Sequence, residues 1–359
     1  MKAAVLKAFG TLLTVEQTPD PLLGTGEVIV DVVAAPVLSY MNEVLSGERR
    51  YLLDLPQVPG SGAIGRVRAT GPDATHLQVG DWVMCDPTVR SRDDALMPDI
   101  TLQGLSARGE GGMKLQAYYR GGGFAEQMRV PTENAIAIGE IDPAYAGRWC
   151  AVTTALVPYG GLLAGQMQPG ETVLVSGATG QFGSAAVAVS LAMGAGRVIA
   201  PGRNEAVLTD IKRRFGDRVV TLKLSGDEAL DREAMKAAAP GPIDLVLDIL
   251  PPEAPAMAVR AAAMTVRQGG RVVLMGGVGM LGGAGLDLPY PWIMRNSISV
   301  IGSWMYPPLA VVGLTRLIHA GLLSLNEFEV TPFGLDQANE AVAYAAIHGG
   351  PFRMTVIQP

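Results

Sequence analysis

The sequence predicts an α/β chain in two parts, a β-rich part followed by a doubly wound parallel sheet. Three observations carry this. Residues 1–135 break into short apolar runs separated by turn residues. Residues 150–305 alternate nearly continuous apolar strands with helical stretches of ten or more residues, the pattern of strands covered on both faces. Between the first of those strands and an uncharged helical run stands a glycine-rich turn, with Gly177, Gly180 and Gly183 three apart.

In the first part, Val28–Val33, Ala63–Val67 and Trp82–Cys85 read as strands, and Gly24-Thr-Gly26, Gly71-Pro72 and Gly80-Asp81 as turns. The expectation is a small barrel or sandwich. Residues 87–123 interrupt this rhythm with charge and glycine, ending in Gly121-Gly-Gly123, and read as a long irregular loop, functional or mobile. In the second part the first strand starts at Val173, and its helix runs from Ser184 to Met193. Val198–Ala200 is the second strand, followed by a helix capped by Asn204 and ending at Phe215; Val219–Leu222 is the third. Ser225 and Glu228 have the spacing of a capping box for the next helix. Ile243–Leu250, Arg271–Gly276 and Ser297–Trp304 complete six strands. Beyond Trp304 a helix (Leu309–Ala320), a strand near Phe328–Val330, a helix (Asp336–Ile347) and a last strand (Arg353–Ile357) are expected to return to the first domain. The domains are thus 1–150 with 305–359, and 151–304.

Composition narrows the class. The 359 residues are 48% apolar, with a formal net charge of −6 and dispersed lysines and arginines, which argues against a nucleic-acid or anionic-membrane surface. Two cysteines, Cys85 and Cys150, do not make a disulfide framework. The N-terminus lacks the apolar core of a signal peptide, and no 18-residue apolar stretch exists. A soluble cytoplasmic protein is expected.

The glycine turn is the most informative motif. In a chain with 45 glycines such a string recurs by chance, but a strand before it and a helix after it make it specific. That order puts backbone N–H groups and a helix N-terminus where a pyrophosphate can sit. At the end of the second strand, where NAD-binding chains place an acidic residue on the ribose, this chain has Gly202 followed by Arg203. A carboxylate repels a 2′-phosphate and a guanidinium holds it, and Gly202 leaves room, so NADP(H) is the inferred cofactor. Lys212 and Arg213 either add to the positive field or face solvent. A solvated Arg203 at a helix start is the alternative.

These motifs together resemble the medium-chain dehydrogenase/reductase superfamily over nearly the whole chain. The long strand in Gly26–Leu38, the turn Pro59-Gly-Ser-Gly-Ala-Ile-Gly65, Gly80-Asp-Trp-Val83 and Gly122-Gly-Phe-Ala-Glu126 continuing to Pro131 carry the likeness. The resemblance implies a Rossmann domain, a GroES-like catalytic domain completed by the C-terminal tail, and a cofactor cleft between them. It implies cofactor contacts from Thr154, Gly177, Thr179, Gly180, Gln181, Phe182, Gly183, Gly202, Arg203, Asn204, Leu250, Gly276, Ser303 and Arg353, the last reaching the pyrophosphate. Zinc enzymes of this superfamily hold a catalytic metal with Cys, His and Cys or Asp. Here the first position is Leu38, the His position is Ser61, its acidic neighbour is Gly62, and only Cys150 falls at a ligand position. One thiol does not make a catalytic zinc site, and residues 86–149 lack the cysteines of a structural zinc lobe. The chain therefore resembles the zinc-free quinone oxidoreductase and enoyl reductase branch, with no metal. His76, His319 and His348 lie far from these motifs and read as solvated or surface-packed.

Without zinc, charge developing on a substrate oxygen must be met by hydrogen bonds or a proton donor. Tyr40 falls where zinc-containing relatives place a relay hydroxyl; it either donates, with a phenol pKa lowered by the cofactor or a local donor, or only shapes the pocket. Ser61 and Glu43 are further candidates. Tyr40, Met41, Tyr51, Trp292, Trp304, Met305 and Tyr306 suit the wall of a pocket for a flat or apolar carbonyl compound, although several of them could equally be core. Three functions remain: a zinc-free NADPH-dependent reductase of a quinone, enone or carbonyl; an alcohol dehydrogenase acting oxidatively; or an NADPH-binding protein without turnover. A homodimer is expected, because the apolar run Ser297–Trp304 would leave an open sheet edge.

Overall fold

The computed structural model describes residues 1–359, which divide into two compact units. The first comprises Met1–Thr153, Phe328–Gly349 and Arg353–Pro359; the second comprises Thr154–Glu327 and Gly350–Phe352.

In the first unit the strand Glu27–Val37 is central. It pairs antiparallel with Ala63–Thr70, with Gln127–Pro131 and with the C-terminal strand Arg353–Gln358. Glu329–Gly334 extends the sheet in parallel with Arg353–Gln358, and Trp82–Cys85 and Ala135–Ala137 complete the opposite side. The tail from Phe328 thus closes the domain that residues 1–153 begin. Residues 305–327, expected there, instead group with the second unit, where the helix Ala310–His319 buries Ala310, Val311 and Leu314.

Residues 87–123 are only partly irregular. Thr88–Arg90, Ile100–Leu102 and Ser106–Ala107 form a three-stranded antiparallel sheet, followed by the helix Gly109–Tyr118. The strands have two or three residues each, too short for their alternation to stand out among charged and glycine positions. The excursion is anchored by polar ties. The buried Glu27 carboxylate accepts from the Gly24 amide at 2.7 Å and from the Tyr118 hydroxyl, and Arg129 lies 4.4 Å from the centre of the Tyr118 ring.

The second unit is a six-stranded parallel sheet. Its spatial order is Val219–Lys223, Arg197–Gly202, Thr172–Ser176, Ile243–Asp248, Val266–Leu274 and Ser299–Gly302. The third, second and first strands in sequence are followed in space by the fourth, fifth and sixth, so strand order reverses between Thr172–Ser176 and Ile243–Asp248. Val173, Leu174, Val175, Leu245, Val246 and Leu247 are all fully buried, as expected of strands covered on both faces. Asn204 caps the helix Glu205–Phe215, its side chain accepting from the Ala206 and Val207 amides. The capping box expected at Ser225 and Glu228 does not form. Asp227 caps the helix Glu228–Ala238, because its carboxylate is the stronger acceptor for the Ala229 and Leu230 amides, while Ser225 Oγ donates to Asp231 at 2.7 Å. No helix is long and apolar enough to cross a membrane.

Candidate cofactor and active site

The glycine turn occupies the C-terminal end of the strand Thr172–Ser176. Gly177 has φ +97°, a backbone conformation that a side chain disfavours, and the Gly180 amide closes the turn on the Gly177 carbonyl at 2.9 Å. Gly180 is the N-cap of the helix Gln181–Ala192. A Cβ on Gly183 would run into the Gly177 carbonyl and come within 2.9 Å of the Ala178 Cα, both backbone atoms. The third glycine thus lets the helix start pack directly on the turn. The turn sits at the reversal of strand order, where open α/β sheets bind ligands at the carboxyl ends of their strands. Ser184 of this helix also accepts from the Phe352 amide at 3.2 Å, and Phe352 packs against Phe215 and the Arg214 guanidinium.

At the end of the second strand Gly202 is buried and Arg203 exposed. The side-chain position of Gly202 is not open space. A Cβ there would collide with the Thr179 methyl and approach Leu208 Cδ2 at 3.2 Å. Thr179 would have to shift before residue 202 could carry a side chain, an acidic one included. Lys223, on the neighbouring strand and in register with Gly202, is a second cation at this end; it pairs with Glu205 at 2.9 Å. Sequence reasoning missed it because parallel register is not visible along the chain. Lys212 and Arg213 belong to the last turn of the helix Glu205–Phe215, away from Gly202, and pair with Asp217 and Asp210.

Leu250 and Gly276 follow the fourth and fifth strands and flank a residue that the sequence reading overlooked, Asp248. Ser303 is held by its amide donating to the Leu274 carbonyl at 3.1 Å. Gln181 and Thr154 are buried and Phe182 half-buried. Trp304 is exposed, whereas Trp292 packs on the core around Leu174, Ile243 and Val246 rather than on a pocket. Tyr306 is likewise core.

In the first unit Tyr40 precedes the short helix Met41–Ser46 and is half-buried. Its hydroxyl is hydrogen-bonded with that of Tyr51; the Arg49 guanidinium lies 4.3 Å from the Tyr40 ring centre and pairs with Glu43 at 2.7 Å. The phenol is not activated as an acid. Burial pushes its pKa well above the ordinary tyrosine value, the partly buried Tyr51 adds to this, and Arg49 offsets it only in part. No group of this chain lowers it below the ordinary value, and Tyr40 is held as a neutral phenol. Met41 is wholly buried, a core residue and not a pocket wall.

Ser61 is buried in the turn Pro59–Gly62, which locks onto Gly122–Phe124 through Gly122 N to Val58 O (2.8 Å), Gly123 N to Gly60 O (3.0 Å) and Phe124 N to Pro59 O (3.0 Å). Gly60, at φ +110°, allows this approach, since a Cβ would come within 2.8 Å of the Gly123 and Phe124 amides. Arg353 lies in register with Glu329 and lines a polar hollow with Tyr344 and His348.

Residues 24–140 match the family model for the alcohol dehydrogenase GroES-like domain, and residues 182–320 that for zinc-binding dehydrogenases. The chain belongs to the medium-chain dehydrogenase/reductase superfamily. An alcohol dehydrogenase from Geobacillus stearothermophilus is 29% identical over 84% of this chain and 84% of its own length. An acryloyl-coenzyme A reductase from Metallosphaera sedula is 28% identical over 92% of this chain and 94% of its own. Among solved structures, the alcohol dehydrogenase TADH from Thermus sp. ATN1 superposes with a TM-score of 0.81 at 21% identity, each chain covered completely. A protein described as a zinc-binding dehydrogenase from Sinorhizobium meliloti, bound to NADP, gives 0.80 at 20% identity, covering 100% of this chain and 99% of its own.

This dehydrogenase/reductase chain carries residues that fit one implied group and not another. The turn at Gly177–Gly183, built on three glycines and with a helix start behind it, suits a dinucleotide pyrophosphate. A catalytic zinc does not fit. Leu38 is an apolar core side chain, Ser61 offers only a hydroxyl, and no three His, Cys, Asp or Glu side chains are grouped to hold a metal. Cys150 is wholly buried, and a single thiol does not make a three-ligand site.

Proposed function

We propose that this chain is a zinc-independent, NADP(H)-dependent oxidoreductase that reduces an activated C=C, quinone or carbonyl compound. The observation that carries the reading is the pairing of a dinucleotide turn at the strand-order reversal with a zinc position built from Leu38 and Ser61. Gly177, Thr179, Gly180, Gln181, Phe182 and Gly183 would hold the pyrophosphate. Arg203, with Lys223 beside it, would take the 2′-phosphate. Thr154, Leu250, Gly276 and Ser303 would line the nicotinamide end, and Arg353 would approach the pyrophosphate. When bound, the reduced nicotinamide supplies a hydride. Tyr40, as a neutral phenol, donates a hydrogen bond to the oxygen on which negative charge develops, and the proton that completes the reduction comes from solvent water. Ser61 is the weaker candidate for the same role, because its turn is buried and locked. Tyr51 and Trp304 remain proposed pocket residues.

The relatives named alcohol dehydrogenases favour a second reading, oxidation of an alcohol. Forming an alkoxide from an unactivated alcohol needs strong electrostatic help, which a lone phenol supplies poorly. A panel assay decides between them: NADPH consumption with simple quinones, enones and aldehydes, and NADP⁺ reduction with alcohols, each with and without chelator. Turnover of enones or quinones insensitive to chelator is the expected result. Turnover of alcohols alone, or stoichiometric zinc in the purified protein, would overturn the proposal.

A homodimer joined through Ser299–Gly302 belongs to the same reading, as does a cytoplasmic location. The first is supported by the unpaired outer edge of that strand, the second by two unpaired buried thiols.

A further inference from the structure

One buried carboxyl joins the ends of three strands at the point where strand order reverses. Asp248 closes the strand Ile243–Asp248 and is 3% exposed. Ser176, the last residue of the neighbouring strand and directly opposite in register, donates its hydroxyl to Asp248 Oδ1 at 3.0 Å. The amides of Leu250 and Gly276 also donate to the carboxyl. Gly276 lies so close that a Cβ there would come within 2.5 Å of Oδ2. Main-chain bonds complete the joint, with Ile249 N donating to Ser176 O (3.0 Å), Met275 N to Asp248 O (3.0 Å) and Gly277 N to Leu250 O (2.8 Å). Ser176 immediately precedes the glycine turn, and Leu250 and Gly276 are the residues proposed above for the nicotinamide end.

No charged group faces this carboxyl. On its own strand Asp244 sits at the far end and pairs with Arg267 at 2.6 Å. On the fifth strand Arg271 pairs with Glu171, which precedes the first strand. The helix Ala256–Ala263 contributes Arg260, paired with Glu228, and the turn before it Glu253. Tyr159, on the helix whose Gly161 packs on Leu247 and Met275, turns its hydroxyl to Gly313. The helix Gln181–Ala192 has no charged residue. Asp248 therefore depends on three hydrogen-bond donors alone, and burial, its largest influence, pushes its pKa up to about 7.

We propose that Asp248 is a positioning residue whose ionisation sets the joint between the glycine turn and the nicotinamide end, and so makes dinucleotide binding pH-dependent. The proposal rests on the nucleotide-site reading. As a carboxylate Asp248 accepts from Ser176, Leu250 and Gly276 together. Once protonated it carries a donor of its own among three donors, and at least one of those bonds is lost or turned.

The test is the dissociation constant of NADPH, and of NADH as a probe without a titrating 2′-phosphate, measured by fluorescence from pH 5.5 to 8.5 in the wild-type chain and Asp248→Asn. Binding by the wild type should weaken about fivefold or more on acidification through neutrality, a modest coupling between sites. The variant should bind without that pH dependence. If Asp248→Asn does not fold, Ser176→Ala serves: loss of one donor to the carboxylate should move the wild-type midpoint to higher pH. Binding with no pH dependence in the wild type, a variant with the wild-type profile, or an unmoved midpoint in Ser176→Ala would overturn the proposal while leaving the nucleotide site intact. Failure to bind either dinucleotide at any pH would overturn the nucleotide-site reading, and this proposal with it.

Discussion

Tyr40 and Arg203 are the two side chains on which the proposed chemistry turns, and their surroundings give them different tests. The Tyr40 phenol is pushed up by burial and stays protonated throughout the working range. Its contribution is thus a hydrogen bond and not a titration. Tyr40→Phe keeps the ring under the Arg49 guanidinium and removes only the hydroxyl, so kcat should fall by about 10²-fold with NADPH affinity unchanged. Steady-state kinetics on the best substrate of the panel check this, and a wild-type kcat profile should show no limb from Tyr40 below about pH 10. An unchanged kcat in the variant would reduce Tyr40 to a pocket wall. Arg203 is exposed and carries the proposed 2′-phosphate contact, so NADPH should bind roughly tenfold or more tighter than NADH, a charge-assisted hydrogen bond being worth about 1.5–3 kcal/mol. Arg203→Ala should remove most of that preference, leaving the part due to Lys223. Equal dissociation constants in the wild type would refute the assignment.

At the scale of the element, the strand, turn and helix around Gly177–Gly183 act as one unit, because the third glycine sets how closely the helix approaches. A methyl at residue 183 meets backbone atoms, which yield less than a flexible side chain would. Gly183→Ala should therefore destabilise the chain by about 1–3 kcal/mol and weaken dinucleotide binding further by displacing the helix start. Thermal unfolding together with NADPH titration measures both effects. Wild-type stability and affinity would show that the turn accommodates the methyl. The same close packing explains Gly202: Thr179 of the turn fills its side-chain space, linking the first and second strands at the proposed adenine end.

Stability and assembly belong to the whole molecule. Asp248 ionises near pH 7 when folded, against an ordinary value of 3.8. A raised carboxyl pKa means that the folded chain binds a proton which the unfolded chain has already released between those values. Its contribution is fully present below about pH 4 and lost as pH rises through about 7, by at most about 4 kcal/mol. Asp248→Asn removes the buried charge, so it should be more stable than the wild type above pH 7, with the advantage shrinking on acidification. Melting curves of both proteins from pH 4 to 8 read the difference, and a constant offset would show that the carboxyl does not titrate there. On assembly, Ser299–Gly302 pairs on one side only, and Tyr290, Met294, Val300, Trp304 and Leu309 of the same stretch are exposed. Light scattering at micromolar concentration should give the mass of two chains; the 37.5 kDa monomer would refute the proposed dimer.

What the sequence determined by itself is whatever depends on local order. The alternation of apolar runs and helices specified the parallel sheet, and strand, glycine turn and helix in succession marked the turn proposed to bind the dinucleotide. Asn204 capped its helix as its position required, and Leu38 and Ser61, which are not zinc-ligand residue types, carry the zinc-free proposal. What only the tertiary structure decided depends on neighbours distant along the chain. The short strands of residues 88–107 are stabilised by one another rather than by their own pattern, so the segment reads as a loop until they pair. Lys223 meets Gly202 through parallel register, and Thr179 fills the space above Gly202. Met41 and Trp292 are apolar aromatic or flexible side chains that suit a pocket or a core equally well, and only packing places them in the core. Asp248 is invisible as a single carboxylate at the end of an apolar strand, because burial and three donors from other strand ends are what raise its pKa. Local periodicity encodes which elements form; burial, register and desolvation are sums over distant residues and exist only once the chain has folded.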